Sequence, residues 1–155
     1  MSFEEFNNKY KCNFSPNDRI LDLHSRKLGD EILNDLYLII PEDNKINQLS
    51  LDDNNLHDIS IINRIPLYNL SYLDLSVNKI TNLKFLKEMI LKNLKRLYLD
   101  HNNINDFSPL LTYLKNYPNL KIITFKNHNF NIKTKNNKEL LKMLNEKKIE
   151  YDTLK

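Results

Sequence analysis

The chain has 155 residues, about the length of one domain, and its composition is strongly skewed. It holds 27 Leu, 16 Ile, 25 Asn and 19 Lys, but one Gly, one Cys, no Ala and no Trp. A single glycine excludes Gly-rich phosphate loops and dinucleotide-binding fingerprints, because both need several residues without a Cβ where the backbone approaches phosphate. A lone cysteine, Cys12, can form neither an internal disulfide nor a cysteine-based zinc site.

The formal net charge of +3 is unevenly distributed, because nine lysines accompany four acidic residues from Lys121 onward. A surplus this small does not favour broad neutralisation of nucleic-acid phosphates. Residues 1–6 are acidic where a secretory signal is basic, and no apolar run approaches the roughly 20 residues that span a bilayer. We therefore expect an intracellular protein of the cytoplasm or nucleus that is not secreted.

The first predicted element is an amphipathic helix over residues 2–11, because Phe3, Phe6 and Tyr10 recur at i, i+3 and i+7. A fixed pattern with a period of about 24 residues follows it. Three units share one spacing: Ile46, Leu49, Leu51, Asn54, Leu56, Ile59; Leu70, Leu73, Leu75, Asn78, Ile80, Leu83; and Leu94, Leu97, Leu99, Asn102, Ile104, Phe107. Weaker copies surround Leu23 and Phe125, and one further period predicts a short sixth strand at residues 149–151.

These units resemble the leucine-rich repeat family, whose pattern reads L-x-x-L-x-L-x-x-N-x-L, over roughly residues 18–152. The resemblance implies an α/β solenoid, a right-handed β-α superhelix with parallel strands on its concave face, about five repeats and a terminal strand. Each strand can bury only one face, so stacked repeats share one core. We divide the chain into an N-terminal cap at 1–17, a single solenoid domain at 18–152 and a tail at 153–155.

The remaining half of each repeat should return along the convex side. A helix is predicted over residues 31–40 with Asp30 as its N-cap, and a helical segment near 83–92. A further helix should begin at Ser108 as its cap, with Pro109 in the first turn, and run to about Asn116. The second return contains Pro66 and should be irregular or one short turn. Asn54, Asn78 and Asn102 are predicted to be structural, bonding the backbone of the turn after each strand, with His128 as a substitute in the fourth unit. The asparagine surplus beyond this ladder is attributed to coding bias.

The solvent-facing strand positions are the candidate binding site. Residues of three kinds converge there in the repeat register: Tyr72 and Tyr98, Arg96 and His101, and the acidic residues Asp52, Asp53, Asp74 and Asp100. Aromatic and arginine side chains beside fixed charges are typical of protein interfaces. The alternative is that aspartate follows repeat strands because it bonds to the local backbone. The sequence predicts a protein-protein interaction module that binds another protein, with a basic partner surface as one option.

We expect neither metal binding nor catalysis at this surface. His24 lies near Asp52 in the register, and His101 near Asp74 and Asp100, but side chains of neighbouring strands project in parallel and do not converge on a metal. No arrangement of a nucleophile with a base is evident, and Cys12 has no histidine placed beside it. We therefore expect no enzyme activity, no catalytic residue, no metal site and no cofactor.

Two alternatives remain open. The basic C-terminal part contains Lys126, Lys133, Lys135, Lys138, Lys142, Lys147 and Lys148, and the family resemblance includes short intracellular ribonucleoprotein subunits. An RNA-binding role is therefore the second hypothesis, although a lysine run is more often a solvated face. A structural subunit with an apolar convex patch is the third. We expect a monomer that does not associate with membranes.

Overall fold

A computed structural model describes residues 1–89, 91–126 and 130–152 of the chain. The predicted tail, 153–155, lies outside the described residues, as do His128 and Ile90. The described part holds six strands of three residues each: β1 (Ile20–Asp22), β2 (Gln48–Ser50), β3 (Tyr72–Asp74), β4 (Arg96–Tyr98), β5 (Ile122–Thr124) and β6 (Glu150–Asp152). All six strands form one parallel sheet in sequence order.

The strand register follows the repeat pattern. The central residues of successive strands face each other in one line: Leu21, Leu49, Leu73, Leu97, Ile123 and Tyr151. All but the terminal Tyr151 are buried, and the next apolar position of each repeat extends the same core. The predicted solenoid with parallel strands and a terminal sixth strand is therefore confirmed. The division into cap, domain and tail stays a prediction.

One helix precedes the first strand, and short helices or 3₁₀ segments lie in the returns between strands. The helices are α1 (Phe3–Tyr10), α2 (Glu31–Ile39), α3 (Phe85–Glu88), α4 (Pro109–Tyr113) and α5 (Lys135–Glu146), with 3₁₀ segments at Ser60–Arg64 and Leu114–Asn116. The second return is a single 3₁₀ segment, as Pro66 predicts. The third return is a helix of four residues, shorter than the predicted 83–92 span, because the backbone becomes extended at Met89.

The N-terminal helix closes the first repeat. Ser2 and Glu5 form a reciprocal capping box that satisfies two free backbone donors at the start of α1. Arg26 occupies the position that asparagine holds in the central repeats, and its Nη1 donates to the carbonyls of Tyr10 at 2.6 Å and Lys11 at 3.1 Å. A long side chain at the ladder position thus joins the first repeat to the C-terminal end of α1.

Two predicted caps are wrong in detail. Asp30 makes no side-chain bond to α2; its carboxylate accepts the backbone N–H groups of His57 at 2.7 Å and Asp58 at 3.2 Å. It therefore joins the first repeat to the second. The Ser108 side chain does not cap α4 either. The backbone N–H of Ser108 donates to the Asp106 carboxylate. Pro109 stands in the first turn of α4 as predicted.

The predicted asparagine ladder is confirmed. Nδ2 of Asn78 donates to the carbonyls of Leu51 at 2.9 Å and Leu75 at 3.0 Å, while its Oδ1 accepts the N–H of Leu56 at 3.1 Å. Asn54 and Asn102 make the equivalent bonds one repeat before and after. Buried amides therefore satisfy the turn backbone that the solenoid removes from water.

A second ladder, on the ascending turns before the strands, was missed by the sequence analysis. Nδ2 of Asn69, Asn93 and Asn119 donates to a backbone carbonyl of the preceding repeat, at 3.1, 3.1 and 2.8 Å respectively. These asparagines recur at the repeat period, so coding bias does not account for all of the surplus. Asparagine side chains therefore bond to the backbone both before and after the strands.

Candidate functional site

The concave face is the surface formed by the outward side chains of the strands and the turns that follow them. Tyr72 on β3 and Tyr98 on β4 lie there with their ring centroids 5.2 Å apart. Both are partly exposed, and Arg96 is the direct neighbour of Tyr72 in the register. The structure therefore brings together the two aromatic residues and the arginine that the sequence analysis selected.

Asp74 lies beside the tyrosine pair and is only partly exposed. It accepts hydrogen bonds from the Tyr72 hydroxyl at 3.2 Å and from the Ser76 N–H at 2.9 Å. Burial raises the pKa of its carboxyl, and the nearby charge of Asp52 raises it further. Burial, followed by the Asp74 charge, raises the pKa of the Tyr72 hydroxyl. The centre of the concave face is thus less hydrated than its rim.

Three further aspartates lie on this face with Asp74, and we name the four the acidic patch: Asp52, Asp53, Asp74 and Asp100. Asp52 accepts a hydrogen bond from the Ser50 hydroxyl. Asp53 pairs with Lys27 of the preceding repeat at 2.7 Å, and that bond lowers its pKa. Groups of the same chain therefore hold these carboxylates. The alternative interpretation, in which aspartate bonds to nearby groups of its own chain, accounts for part of the role of these residues.

The turns after the strands carry a recurring left-handed residue. The position takes φ values of 50° to 54° at Ser25, Asp53, Val77 and His101, one in each of four repeats. This conformation is costly for residues with a Cβ, above all for a β-branched one. His101 and Val77 are nevertheless exposed, and Val77 is 45% accessible. Both therefore project from a backbone turn whose geometry is fixed by the repeat.

His24 and Cys12 each contact a neighbouring side chain of the same chain. The Nδ1 of His24 lies 2.7 Å from Asp22, so its partner is that residue and not the Asp52 considered in the sequence analysis. No group of three or more His, Cys, Asp or Glu side chains within residues 1–89, 91–126 and 130–152 could hold a metal ion. Burial raises the pKa of the Cys12 thiol, which disfavours its nucleophilic thiolate form.

The lysine-rich C-terminal part is partly neutralised within the chain. Lys126 pairs with Asp152 at 2.9 Å, and Lys142 lies 3.8 Å from Glu146 one helical turn away on α5. The other lysines of this group are exposed: Lys133, Lys135, Lys138, Lys147 and Lys148. They are spread over α5 and its two ends, so the RNA hypothesis gains no compact basic groove from them.

The convex face carries a small exposed apolar cluster. Leu38 on α2 is 64% accessible, and the guanidinium of Arg64 lies 4.7 Å from the ring centroid of the neighbouring Tyr37. The structural-subunit hypothesis would use this cluster. None of the helices in the described ranges is long and apolar enough to cross a membrane.

Comparisons with known proteins return partial matches to solved structures. No family model and no curated protein matches the chain. An internalin (inlF) of Listeria monocytogenes is 24% identical over 70% of this chain and 34% of its own length, with a TM-score of 0.47. An internalin C2 of the same organism is 29% identical over 54% of this chain and 36% of its own, with a TM-score of 0.40.

The chain spans about a third of the length of those two solved structures. Its architecture is defined by its own geometry: six parallel strands in sequence order, leucines in register, and a buried asparagine at the end of each central turn. These are the defining features of one fold. The chain is an α/β leucine-rich-repeat solenoid.

Proposed function

We propose that the chain is a non-catalytic protein-binding module that receives its partner on the concave face. The observation that carries the proposal is the contact between the tilted rings of Tyr72 and Tyr98, with Arg96 beside them, on a surface otherwise rich in fixed charge. Tyrosine and arginine are enriched among the residues that contribute most of the binding energy in protein interfaces. The partner should place an apolar or aromatic side chain on this pair.

The acidic patch supports the proposal through its rigidity. Hydrogen bonds from Tyr72 and Ser76 hold Asp74, and Lys27 holds Asp53. Side chains that are already ordered lose little conformational freedom on binding, so more of the contact energy remains as affinity. Four carboxylates on one face attract a partner with basic residues and disfavour an acidic one. His101 lies next to the patch and completes the predicted contact surface.

The proposal includes the setting of this binding. We place it inside the cell, with residues 1–17 as cap and 18–152 as one binding domain in a monomer. The free thiol of Cys12, which is partly buried and bonded to Asn7 Oδ1 at 3.2 Å, suits a reducing compartment. No metal, cofactor or nucleotide enters the proposed activity.

Site-specific photo-crosslinking tests the face directly. A photoreactive phenylalanine derivative is introduced at Tyr98 in one variant and at Tyr68 in another, and each is irradiated in a lysate of the native cell. Tyr68 is the matched control, because it is an exposed tyrosine on an ascending turn outside the concave face. We expect protein adducts from position 98 that are absent from position 68. Adducts of equal yield, or adducts from position 68 alone, would refute the concave face as the binding site.

A further inference from the structure

The sheet is polarised along its strand direction. The acidic patch lies at the C-terminal ends of β2, β3 and β4, while basic residues gather where β4 and β5 begin. We name these the basic edge: Lys92, Lys95, Arg96 and Lys121. Lys95 and Asp100 are five residues apart, so the basic edge and the acidic patch lie about 15 Å from each other along the sheet. One partner segment can therefore contact both.

The basic edge is held by backbone bonds between repeats. The N–H groups of Lys121 and Ile122 both donate to the Lys95 carbonyl, at 2.8 and 3.0 Å. Asn119 donates its side-chain amide to the Lys92 carbonyl at 2.8 Å, which is a rung of the second asparagine ladder. Lys95 and Lys121 are thus fixed as neighbours, about 4.8 Å apart at the backbone, at the same end of adjacent strands.

These cations have no counter-ion in the described part of the chain. None of the ion pairs among residues 1–89, 91–126 and 130–152 includes a member of the basic edge, and all four side chains are exposed. Lysines beyond the C-terminal ends of the strands behave differently, since Lys27 and Lys126 each reach an aspartate. Like charges on neighbouring strands repel each other, so the edge offers a favourable site to an external anion.

We propose that the basic edge binds an acidic segment of the protein partner, in the orientation that lays the partner's basic residues over the acidic patch. This inference rests on the proposed function and adds to it the charge pattern and direction of the bound segment. The partner is therefore a polypeptide with separate acidic and basic blocks, spaced by about the length of one strand.

The neighbouring charges favour a polypeptide over a nucleic acid. A nucleic-acid strand is negative along its whole length, so a strand that follows the sheet from the basic edge meets the acidic patch about 15 Å further on. Four cations also release few counter-ions, which gives little affinity for phosphates. A polypeptide can change its charge between the two ends and avoid this repulsion.

Synthetic peptides test the inference. The bipolar probe carries a fluorophore, a block of glutamates, a Gly-Ser spacer of about five residues and a block of lysines. A second probe has the same composition with the charges alternating. Binding to the full chain is measured by fluorescence anisotropy at low salt, and we expect the bipolar probe to bind about tenfold more tightly than the alternating one. Equal binding, or no binding of the bipolar probe, overturns the inference.

Charge-reversal variants locate the contact. The double variant Lys95→Glu/Lys121→Glu should weaken the bipolar probe about tenfold, whereas Lys135→Glu/Lys138→Glu, with the same change of net charge on α5, should leave it unchanged. Circular dichroism verifies that each variant is folded. If Asp52→Lys weakens the probe while the edge variant does not, the concave face remains a binding site and the basic edge is refuted as part of it.

Two further outcomes have defined meanings. Fluorescent oligouridylate that binds the wild type more tightly than the bipolar peptide, and loses affinity in the edge variant, would replace the polypeptide with a nucleic acid and overturn the inference. Photo-crosslinking at position 98 tests the proposed function independently of the peptide assay. The absence of adducts at that position would refute the proposed function. Adducts at position 98 together with an edge variant of wild-type affinity contradict the inference alone.

Discussion

The hydroxyl of Thr124 on β5 donates a 2.6 Å hydrogen bond to the carboxylate of Asp100, which follows β4. The other oxygen of the same carboxylate accepts the backbone N–H of Lys126 at 2.6 Å. Bonds to an ionised acceptor are stronger than neutral ones. Asp100 therefore joins the fourth repeat to the fifth while it also contributes charge to the acidic patch.

We expect Asp100→Ala to lower the free energy of unfolding by about 2 to 3 kcal/mol, because both donors lose a charged, partly buried acceptor. Asp100→Asn retains one acceptor oxygen and should cost about 1 kcal/mol. Urea denaturation followed by circular dichroism measures both. Asp22→Ala is the control, since its exposed pair with His24 should contribute much less to stability. Equal losses in the Asp100→Ala and Asp22→Ala proteins would show that the bonds to β5 do not stabilise the fold.

The two asparagine ladders should differ in strength. Asn78 is 6% exposed and bonds to three buried backbone groups, so Asn78→Ala should destabilise the chain by about 3 kcal/mol or more. Asn93 is exposed and makes one bond to the Tyr68 carbonyl, so Asn93→Ala should cost about 0.5 to 1 kcal/mol. Chemical denaturation of both variants measures the difference. A loss in Asn93→Ala as large as that in Asn78→Ala would contradict the assignment of the buried ladder as the principal brace.

The repeat register was predictable because a single physical requirement repeats at each strand. Leu49, Leu73 and Leu97 must stack to leave water, and Asn78 must bond to turn backbone that the solenoid removes from water. Both requirements involve side chains at fixed spacings, so they are visible in the sequence. The tyrosine pair was predictable for the same reason, since Tyr72 and Tyr98 occupy neighbouring strands in that register.

Contacts between a side chain and a distant backbone group were not predictable. Asp30 precedes a helix, which made a local cap the obvious expectation, yet its partners are N–H groups 27 and 28 residues away. The asparagines of the ascending ladder, Asn69, Asn93 and Asn119, recur at the repeat period, but their carbonyl partners vary in residue type, so the sequence does not reveal which groups they bond. The charge polarity of the sheet became visible only once the strand ends were placed.

Val77 should be a position where the chain can be stabilised. It is β-branched and 45% exposed, and its φ of 53° lies in the left-handed region that such residues disfavour. Val77→Asn should raise the free energy of unfolding by about 0.5 to 1 kcal/mol, because asparagine tolerates this conformation. For a chain of this size the gain corresponds to a rise in Tm of roughly 2 to 4 °C per kcal/mol, measured by differential scanning calorimetry.

The control for Val77 is Val77→Thr, which keeps the branched Cβ and adds a polar group. Its Tm should stay close to that of the wild type, since the cost of the backbone conformation is unchanged. A rise in Val77→Thr equal to that in Val77→Asn would mean that polarity, and not backbone conformation, limits stability at this turn.

The pair His24 and Asp22 should make the stability of the fold depend on pH. The Asp22 hydrogen bond raises the pKa of His24, and for Asp22 the bonds from His24 outweigh burial, so its pKa is lowered. The contribution of His24 to stability is complete below its unfolded pKa of about 6.5 and is lost as pH rises through the raised value. That of Asp22 is present above about 3.9 and is lost as pH falls through the lowered value.

We therefore expect the pair to stabilise the fold between those limits, and the pKa of His24 to fall when its partner is removed. NMR titration of the His24 ring proton in the wild type and in Asp22→Asn measures the change directly. Asp106→Asn, which removes a carboxylate on the descending turn of the fourth repeat, should leave the titration of His24 where it is in the wild type. A His24 pKa that is the same in the wild type and in Asp22→Asn would show that the 2.7 Å contact does not persist in solution.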